Sequence, residues 1–202
     1  MKRLFALLIT VALLLVCAAC GKGKAAISAA PELTHTVPSG MTRPDMGNHH
    51  EIEQDGLLLY VDAGYLHYFV GEPFTLTATI TNTAGCDITY GAGSGTRNIH
   101  DEIQVRIRGK NGVVFTDMDV YGKIVTADMV LDTLKAGEIF TETIRFLPGV
   151  PRGNSSNISM EDVDWLPAGE YEGTAVFTYF TGTLEHPGEQ KQLQLEFTVI
   201  LV

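Results

Sequence analysis

The chain has 202 residues, a formal net charge of −10 at pH 7, 45% hydrophobic residues and three cysteines. This length allows one domain with extensions, and three cysteines are too few for a disulfide scaffold. The acidic charge argues against nucleic-acid binding, which needs clustered lysine and arginine, and against electrostatic attachment to anionic headgroups.

The first nineteen residues have the pattern of a secretory signal peptide. Lys2 and Arg3 form a short basic start, and an apolar run from Leu4 to Ala19 follows. This run is shorter than the roughly 20 residues that a membrane-spanning helix needs. A basic start, a short apolar stretch and small residues before a cleavage point are typical of a signal peptide. We therefore predict a signal peptide over residues 1–19, with an uncleaved anchor helix as the alternative.

The signal segment ends in a motif of lipoprotein type. Cys17-Ala18-Ala19-Cys20 resembles the lipobox of bacterial lipoproteins, with Cys17 at the position where that family most often has leucine. The resemblance implies that Cys20 receives a diacylglyceryl thioether and becomes the N-terminus after cleavage. Two acyl chains on one residue provide stable anchoring. We therefore expect the membrane as a partner through Cys20, and a location on the extracytoplasmic face of the cell membrane.

Under this interpretation Cys86 is the one thiol left in the mature chain. It has no histidine or basic residue beside it in the sequence that would lower its pKa. A lone cysteine of this kind is most often a small buried hydrophobe. We expect Cys86 to lie in the core rather than to react.

Residues 20–55 are predicted to form a flexible linker. The segment mixes small residues and prolines and has no apolar periodicity, so it cannot form a hydrophobic core. It contains two methionines and two histidines, Met41, Met46, His49 and His50. Thioethers with imidazoles are ligands for copper, and imidazoles with carboxylates are ligands for zinc. We predict a solvated linker without a cofactor, with a metal site at these four residues as the alternative.

From residue 56 onward the hydrophobic period is two. In the strand that begins at Phe74, apolar residues alternate with threonines, and Asn111-Gly112 is a strong signal for a two-residue hairpin. The predicted strands cover residues 57–62, 74–81, 87–90, 103–108, 113–115, 124–131, 138–146, 171–180 and 192–201. Short strands with turn signals between them, and no helical period, predict an all-β fold. We expect an immunoglobulin-like antiparallel β-sandwich of seven to nine strands over residues 56–202.

Two positions stand out within this pattern. Glu142 breaks the alternation of its strand, because it shares a face with Phe140 and Ile144. Tyr171 follows a loop and begins a strand, as does the tyrosine of immunoglobulin-like domains whose hydroxyl bonds back to nearby backbone. An ordinary aromatic residue at a strand start is the alternative for Tyr171.

Six short segments of the sandwich region occur in a familiar order. They are Gly71–Asn82, Gly93–Gly95, Glu102–Arg108, Asn111–Phe115, Leu134–Glu138 and Leu166–Tyr171. In this order they resemble the bacterial intracellular proteinase inhibitor family, known as BsuPI-like, over about residues 57–180. The resemblance implies one immunoglobulin-like domain and, in the members that inhibit, action on cytoplasmic serine proteases. The chain departs from the family after Phe115, where members tend to have tryptophan. The chain also begins with a predicted signal peptide, whereas the members that inhibit act in the cytoplasm. The resemblance therefore supports the fold of this chain better than it supports protease inhibition.

The sequence has no recognisable catalytic motif. It lacks G-x-S-x-G, H-E-x-x-H and G-x-x-x-x-G-K, and His67, His100 and His186 are not placed with a serine or cysteine in any such pattern. Carboxylates on alternate residues, as at Asp117 and Asp119, suit calcium or a simple solvated loop. A second such group is Glu161, Asp162 and Asp164. We predict that the protein is not an enzyme.

The connection from Leu147 to Ala168 is long for a loop in a compact domain, and long loops are often functional. It holds the single tryptophan, Trp165, beside Asp162 and Asp164. Tryptophan is enriched at binding hot spots, although a lone tryptophan often caps a core. We name these three residues as a candidate partner-binding loop.

The predicted function is that of a non-enzymatic, lipid-anchored bacterial protein whose sandwich binds a protein or envelope partner. Protease inhibition is a minor version of this function. Copper or zinc handling through the linker is the alternative.

Overall fold

A computed structural model describes residues 47–93, 102–119, 121, 129–153 and 158–202. The strands are β1 (Gly47–Gln54), β2 (Leu57–Tyr65), β3 (His67–Tyr68), β4 (Phe74–Asn82), β5 (Ile88–Gly93), β6 (Ile103–Arg108), β7 (Thr116–Asp117), β8 (Met129–Leu134), β9 (Ile139–Leu147), β10 (Gly149–Pro151), β11 (Val163–Trp165), β12 (Gly169–Phe180) and β13 (Gln190–Leu201). One turn of 3-10 helix, Met160–Asp162, precedes β11. Nine of these strands have six residues or more, and four are pieces of two or three residues.

The strands form two main sheets and a small hairpin. The first sheet has the order β1-β2-β4-β9-β7, and the second has the order β3-β13-β12-β5-β8, with β6 also paired to β12. All pairs are antiparallel except β3 with β13. The inner faces of both sheets contribute to one apolar cluster. The predicted all-β antiparallel sandwich is therefore confirmed.

The alternation of side chains explains how each sheet buries one face. In β4 the side chains of Phe74, Leu76, Ala78 and Ile80 are buried, and the threonines between them face outward. Successive side chains of a strand point to opposite faces, so this pattern gives one apolar and one polar face. The outer face of the first sheet is consequently rich in threonine.

The linker prediction was wrong for residues 47–55, because Gly47–Gln54 is the edge strand of the first sheet, paired along its length with β2. Asp55 and Gly56 form the two-residue turn between these strands, and both have positive φ angles of 54° and 75°. Such angles are typical of the type I′ turn, for which Asp-Gly is a preferred pair. The remainder of the predicted linker and the signal segment lie outside the described residues.

Asn48 fixes β1 to both sheets. Its side chain is buried, and Nδ2 donates hydrogen bonds to the carbonyl oxygens of Tyr65 at 3.2 Å and Thr198 at 2.7 Å. Tyr65 ends β2 in the first sheet, whereas Thr198 lies on β13 in the second. A buried amide needs such partners, since an unsatisfied polar group in the core is costly. One side chain thus joins the two layers.

Tyr171 forms the predicted corner contact. Its hydroxyl donates to the carbonyl oxygen of Pro167 at 2.7 Å, and its ring is buried at the start of β12. Burial raises the pKa of this hydroxyl above its usual value. The contact is the tyrosine corner found in immunoglobulin-like sandwiches.

Cys86 is exposed, which corrects the expectation of a core thiol. It lies in the loop after β4, where the side chain of Asn82 holds the backbone by donating to the carbonyl oxygens of Cys86 at 3.0 Å and Leu134 at 2.9 Å. The buried amide of Asn82 therefore occupies the inward position, and the cysteine side chain points to solvent.

No helix within the described ranges is long and apolar enough to cross a membrane.

Candidate functional site

Of the four candidate metal ligands, the two that the structure describes, His49 and His50, point in different directions. His49 is exposed on the outer face of β1 and stacks on Tyr60, with ring centroids 6.5 Å apart. His50 turns the other way, where Nε2 lies 2.8 Å from Asn48 Oδ1 and the ring packs near Phe197. Neighbouring residues of a strand point to opposite faces, so the two imidazoles cannot hold one ion together.

The other two candidate ligands, Met41 and Met46, and the lipidation candidate Cys20 lie outside the described residues. Among the residues that are described, no group of three or more histidine, cysteine, aspartate or glutamate side chains is arranged to hold a metal.

The acidic pair Asp117 and Asp119 serves the loop in which it lies. Asp119 Oδ1 accepts hydrogen bonds from Arg145 Nε at 3.0 Å and Nη2 at 2.6 Å, and its Oδ2 accepts the Arg145 backbone N–H at 3.1 Å. The carboxylate of Asp117 accepts the backbone N–H of Asp119 at 2.8 Å. A calcium ion would have to displace this arginine, so the geometry fits an ion-paired loop rather than a calcium site.

The predicted partner-binding loop is a folded hairpin of β10 and β11. Asp164 is ion-paired with Arg152 at 2.6 Å, both side chains being mostly exposed. The pairing lowers the pKa of Asp164 and raises that of Arg152. Trp165 is half-buried and packs over Gly149, where an added Cβ would lie 3.2 Å from the indole ring. The tryptophan therefore covers the hairpin.

The surroundings of Asp162 differ from those of Asp164 and Trp165. It lines a cavity of about 250 Å³ together with Tyr121, Pro151 and Arg152, while Trp165 does not line it. The three residues of the predicted loop thus do not face one common surface.

The histidines considered for catalysis are placed as follows. His67 is half-buried on β3, and its Nδ1 has no hydrogen-bond partner within the described ranges. His186 lies exposed in the turn before β13, where its backbone N–H donates to Thr183 Oγ1 at 3.3 Å. His100 is outside the described residues. The absence of enzymatic activity stays a prediction.

A groove on the outer face of the second sheet is the best candidate site. It has a volume of about 270 Å³ and runs along β12, where the side chains of Thr174 and Val176 form its floor. On one side stand the longer side chains of Gln104, Arg106 and Arg108 from β6. The strand register places Arg106 opposite Thr174. Long side chains beside short ones on a pleated sheet produce a channel parallel to the strands.

The opposite wall of the groove consists of two glutamines on β13. Gln192 and Gln194 are exposed, and the register places Gln194 opposite Val176. Gln194 Nε2 donates to Glu196 Oε1 at 3.3 Å. The walls belong to strands two positions apart, so they stand about 10 Å apart at a strand spacing of 4.7–4.9 Å.

The guanidinium groups of the groove are available to a ligand. Arg106 and Arg108 are exposed, and neither forms an ion pair within the part of the chain that is described. Glu172 is the cross-strand neighbour of Arg108, whereas the neighbour of Arg106 is the neutral Thr174. Arg106, in the middle of this wall, is therefore the arginine without an acidic residue next to it on β12, and Glu196 lies beyond Thr174 in the same row.

The sequence could not reveal this groove. The alternation of polar and apolar residues in β6 and β13 predicts which side chains face outward, but β6 lies about seventy positions before β12. Nothing in the pattern says that the two strands are neighbours. The outward-facing arginines and glutamines were visible, and their juxtaposition across β12 was not.

A second polar feature lies inside the sandwich. Glu142 is 2% exposed on the inner face of β9, and its Oε1 accepts the backbone N–H groups of Glu102 at 3.2 Å and Ile103 at 3.3 Å. Burial first, and then the neighbouring carboxyl of Glu102, raises the pKa of Glu142 to about 9. Burial of the carboxyl group therefore favours its protonated, neutral form.

No protein-family model matches the chain, and no curated protein matches it.

Proposed function

We propose that this chain is a non-enzymatic bacterial protein, anchored by lipid at Cys20 on the extracytoplasmic face of the cell membrane, whose sandwich binds a partner through the groove on its second sheet. The observation that carries the proposal is the pair Arg106 and Arg108, which are exposed along a polar groove and form no ion pair with any residue that the structure describes. Arginine is enriched at recognition surfaces because its planar group makes several directed hydrogen bonds. The lipobox-like motif supports the location, and the β-sandwich supplies a rigid frame.

The alternatives have less support than the groove. Copper or zinc handling loses the pairing of His49 with His50, since the two imidazoles lie on opposite faces of β1. Protease inhibition rests on the resemblance to the BsuPI-like family and stays a prediction. Titration against a subtilisin-type protease tests it directly.

The anchor is tested by replacing each cysteine in turn. We expect metabolic labelling with an alkyne fatty acid to be lost in Cys20→Ala, because the acylated thiol is removed. Cys86→Ala is the matched control and should keep full labelling, since this thiol is exposed in the folded domain and is not the predicted lipid site. Labelling retained by Cys20→Ala, or lost in Cys86→Ala, would contradict the anchor.

The binding face is tested by crosslinking in living cells. A photoreactive amino acid at Gln194, in the groove, should give crosslinked adducts, because its side chain faces the bound partner. The same group at Thr141, on the outer face of the first sheet, is the control and should give none. Thr141 is exposed like Gln194, so exposure alone cannot produce the difference. Equal yields from the two positions would defeat the assignment of the groove.

A further inference from the structure

We infer that the groove binds an acidic polysaccharide, a sugar polymer that carries carboxylate groups among its hydroxyls; this inference rests on the proposed function. The groove is an open channel about 10 Å wide rather than a closed pocket, so it suits one extended chain. Its two walls differ in chemistry, and each fits one feature of such a polymer.

The wall on β6 fits the carboxylate. A guanidinium group binds a carboxylate through two parallel hydrogen bonds, and this charge-assisted pair is stronger than a neutral one. Arg106 has the neutral Thr174 beside it on β12, and the carboxylate of Glu196 lies one strand further away on β13, so no acidic residue is next to Arg106 on the neighbouring strand. Arg108 lies two residues along the same wall with Glu172 opposite, which makes it the weaker of the two sites.

The wall on β13 fits hydroxyl groups. A glutamine side chain presents a donor and an acceptor on one planar group, and each sugar hydroxyl is likewise both donor and acceptor. Gln192 and Gln194 line this wall, and Gln104 adds a third amide on the opposite side. Together with the Thr174 hydroxyl on the floor, these groups offer hydrogen bonds along the whole channel.

The same geometry disfavours an acidic peptide. A peptide that binds by adding a strand needs an open sheet edge, whereas the groove lies on a face where β12 is paired on both sides. A peptide that binds through side chains needs apolar or aromatic anchors in desolvated pockets. Val176 is the one apolar residue among the described residues that line the groove. Nucleic acid is disfavoured because two arginines cannot neutralise a run of phosphates.

Binding is measured by titrating the detergent-solubilised full chain with oligogalacturonate, a polymer of carboxylated sugars. We expect binding that Arg106→Gln weakens by about tenfold or more, since one charge-assisted pair is worth at least ~1.4 kcal/mol. Lys110→Gln removes the same charge from the exposed turn just after β6 and should leave the affinity unchanged. Gln194→Leu should also weaken binding, because it removes the amide from the opposite wall.

The comparison probes decide the ligand class. Neutral dextran oligomers should bind at least about tenfold more weakly, because they lack the carboxylate. Poly-glutamate peptide that binds as tightly as oligogalacturonate would overturn the inference in favour of an acidic peptide. Equal affinities of Arg106→Gln and Lys110→Gln would overturn it too, because binding would then follow net charge. If oligogalacturonate does not bind the wild type but crosslinks still form at Gln194, the polysaccharide inference is rejected and the proposed function stands. If neither binding nor crosslinks are observed, the inference and the proposed function are both rejected.

Discussion

Replacing Glu142 with glutamine is expected to remove a large pH dependence of the free energy of unfolding. In the folded domain the pKa of Glu142 is raised to about 9, whereas the exposed group of an unfolded chain titrates near its ordinary value of 4.5. Between these two values the folded state holds a proton that the unfolded state releases. Stability therefore falls as pH rises, by ~1.4 kcal/mol for each pH unit. The contribution of Glu142 is fully present below about pH 4.5 and is lost as the pH approaches 9.

Glutamine is the appropriate replacement because it keeps the shape and the useful contacts. Its carbonyl oxygen can accept the same two backbone N–H groups, of Glu102 and Ile103, that Glu142 Oε1 accepts. It carries no titratable proton, so unfolding releases none. Compared with the wild type, Glu142→Gln is expected to be of similar stability near pH 4.5 and more stable at pH 7 by about 3 kcal/mol. That difference is a large part of the stability of a typical domain.

The measurement is urea unfolding of both proteins at intervals between pH 5 and 8. Glu185→Gln is the matched control, because this carboxylate is exposed in the turn before β13 and should leave the slope unchanged. Asp55 and Asp164 have lowered pKa values through Lys191 and Arg152, so their effects fall at acidic pH, below this interval. A wild-type slope that survives in Glu142→Gln would mean that Glu142 is ionised in the folded state.

The sequence was sufficient to predict the fold where side chains alternate over a long strand. Strands β4, β6 and β13 were predicted within two residues of their ends, because one face of each is apolar and the other polar. The tyrosine corner was also foreseeable, since Tyr171 has the local signal of its turn. In these cases the physical cause lies within a few residues of the chain.

The misplaced start of the domain has a physical cause. Strand β1 has a weak apolar face, in which Ile52 packs against the core and the buried polar Asn48 takes an inward position. With so few apolar residues on its inward face, the strand has the sequence pattern of a linker. The signal that distinguishes it is the Asp55-Gly56 pair followed by the alternation of β2, because this pair forms the turn that pairs the strands.

The candidate site depends on neighbours that are distant in sequence. Arg106 and Gln194 line opposite sides of the groove along β12, although nearly ninety residues separate them along the chain. Glu142 could be recognised as an anomaly on an apolar face, but its contact with β6 in the other sheet could not. Local periodicity predicts the direction of a side chain, whereas strand order determines what it meets.

Replacing Gly173 with alanine is expected to destabilise the domain by about 1–3 kcal/mol, as overpacking of a core does. Gly173 is buried on β12 and pairs with Phe197 on β13. A Cβ at this position would overlap the Cδ2, Cε2 and Cζ atoms of the Phe197 ring. The ring cannot easily move aside, because Phe197 is 4% exposed and is packed near His50 as well. The aromatic ring thus occupies the space that a side chain at position 173 would need.

A second substitution identifies the cause of this loss. Phe197→Leu removes the ring atoms that overlap, so the double variant should lose less stability than the sum of the two single losses, with a coupling of about 0.5–3 kcal/mol. Gly85→Ala is the control, since a Cβ there has no neighbour within 4 Å and should cost little. Urea unfolding of the wild type, the two single variants and the double variant gives the cycle, and Gly85→Ala is measured in the same way. If Gly173→Ala is as stable as Gly85→Ala, or if the two single losses simply add, then the ring does not need the space and the close packing of β12 on β13 has another origin.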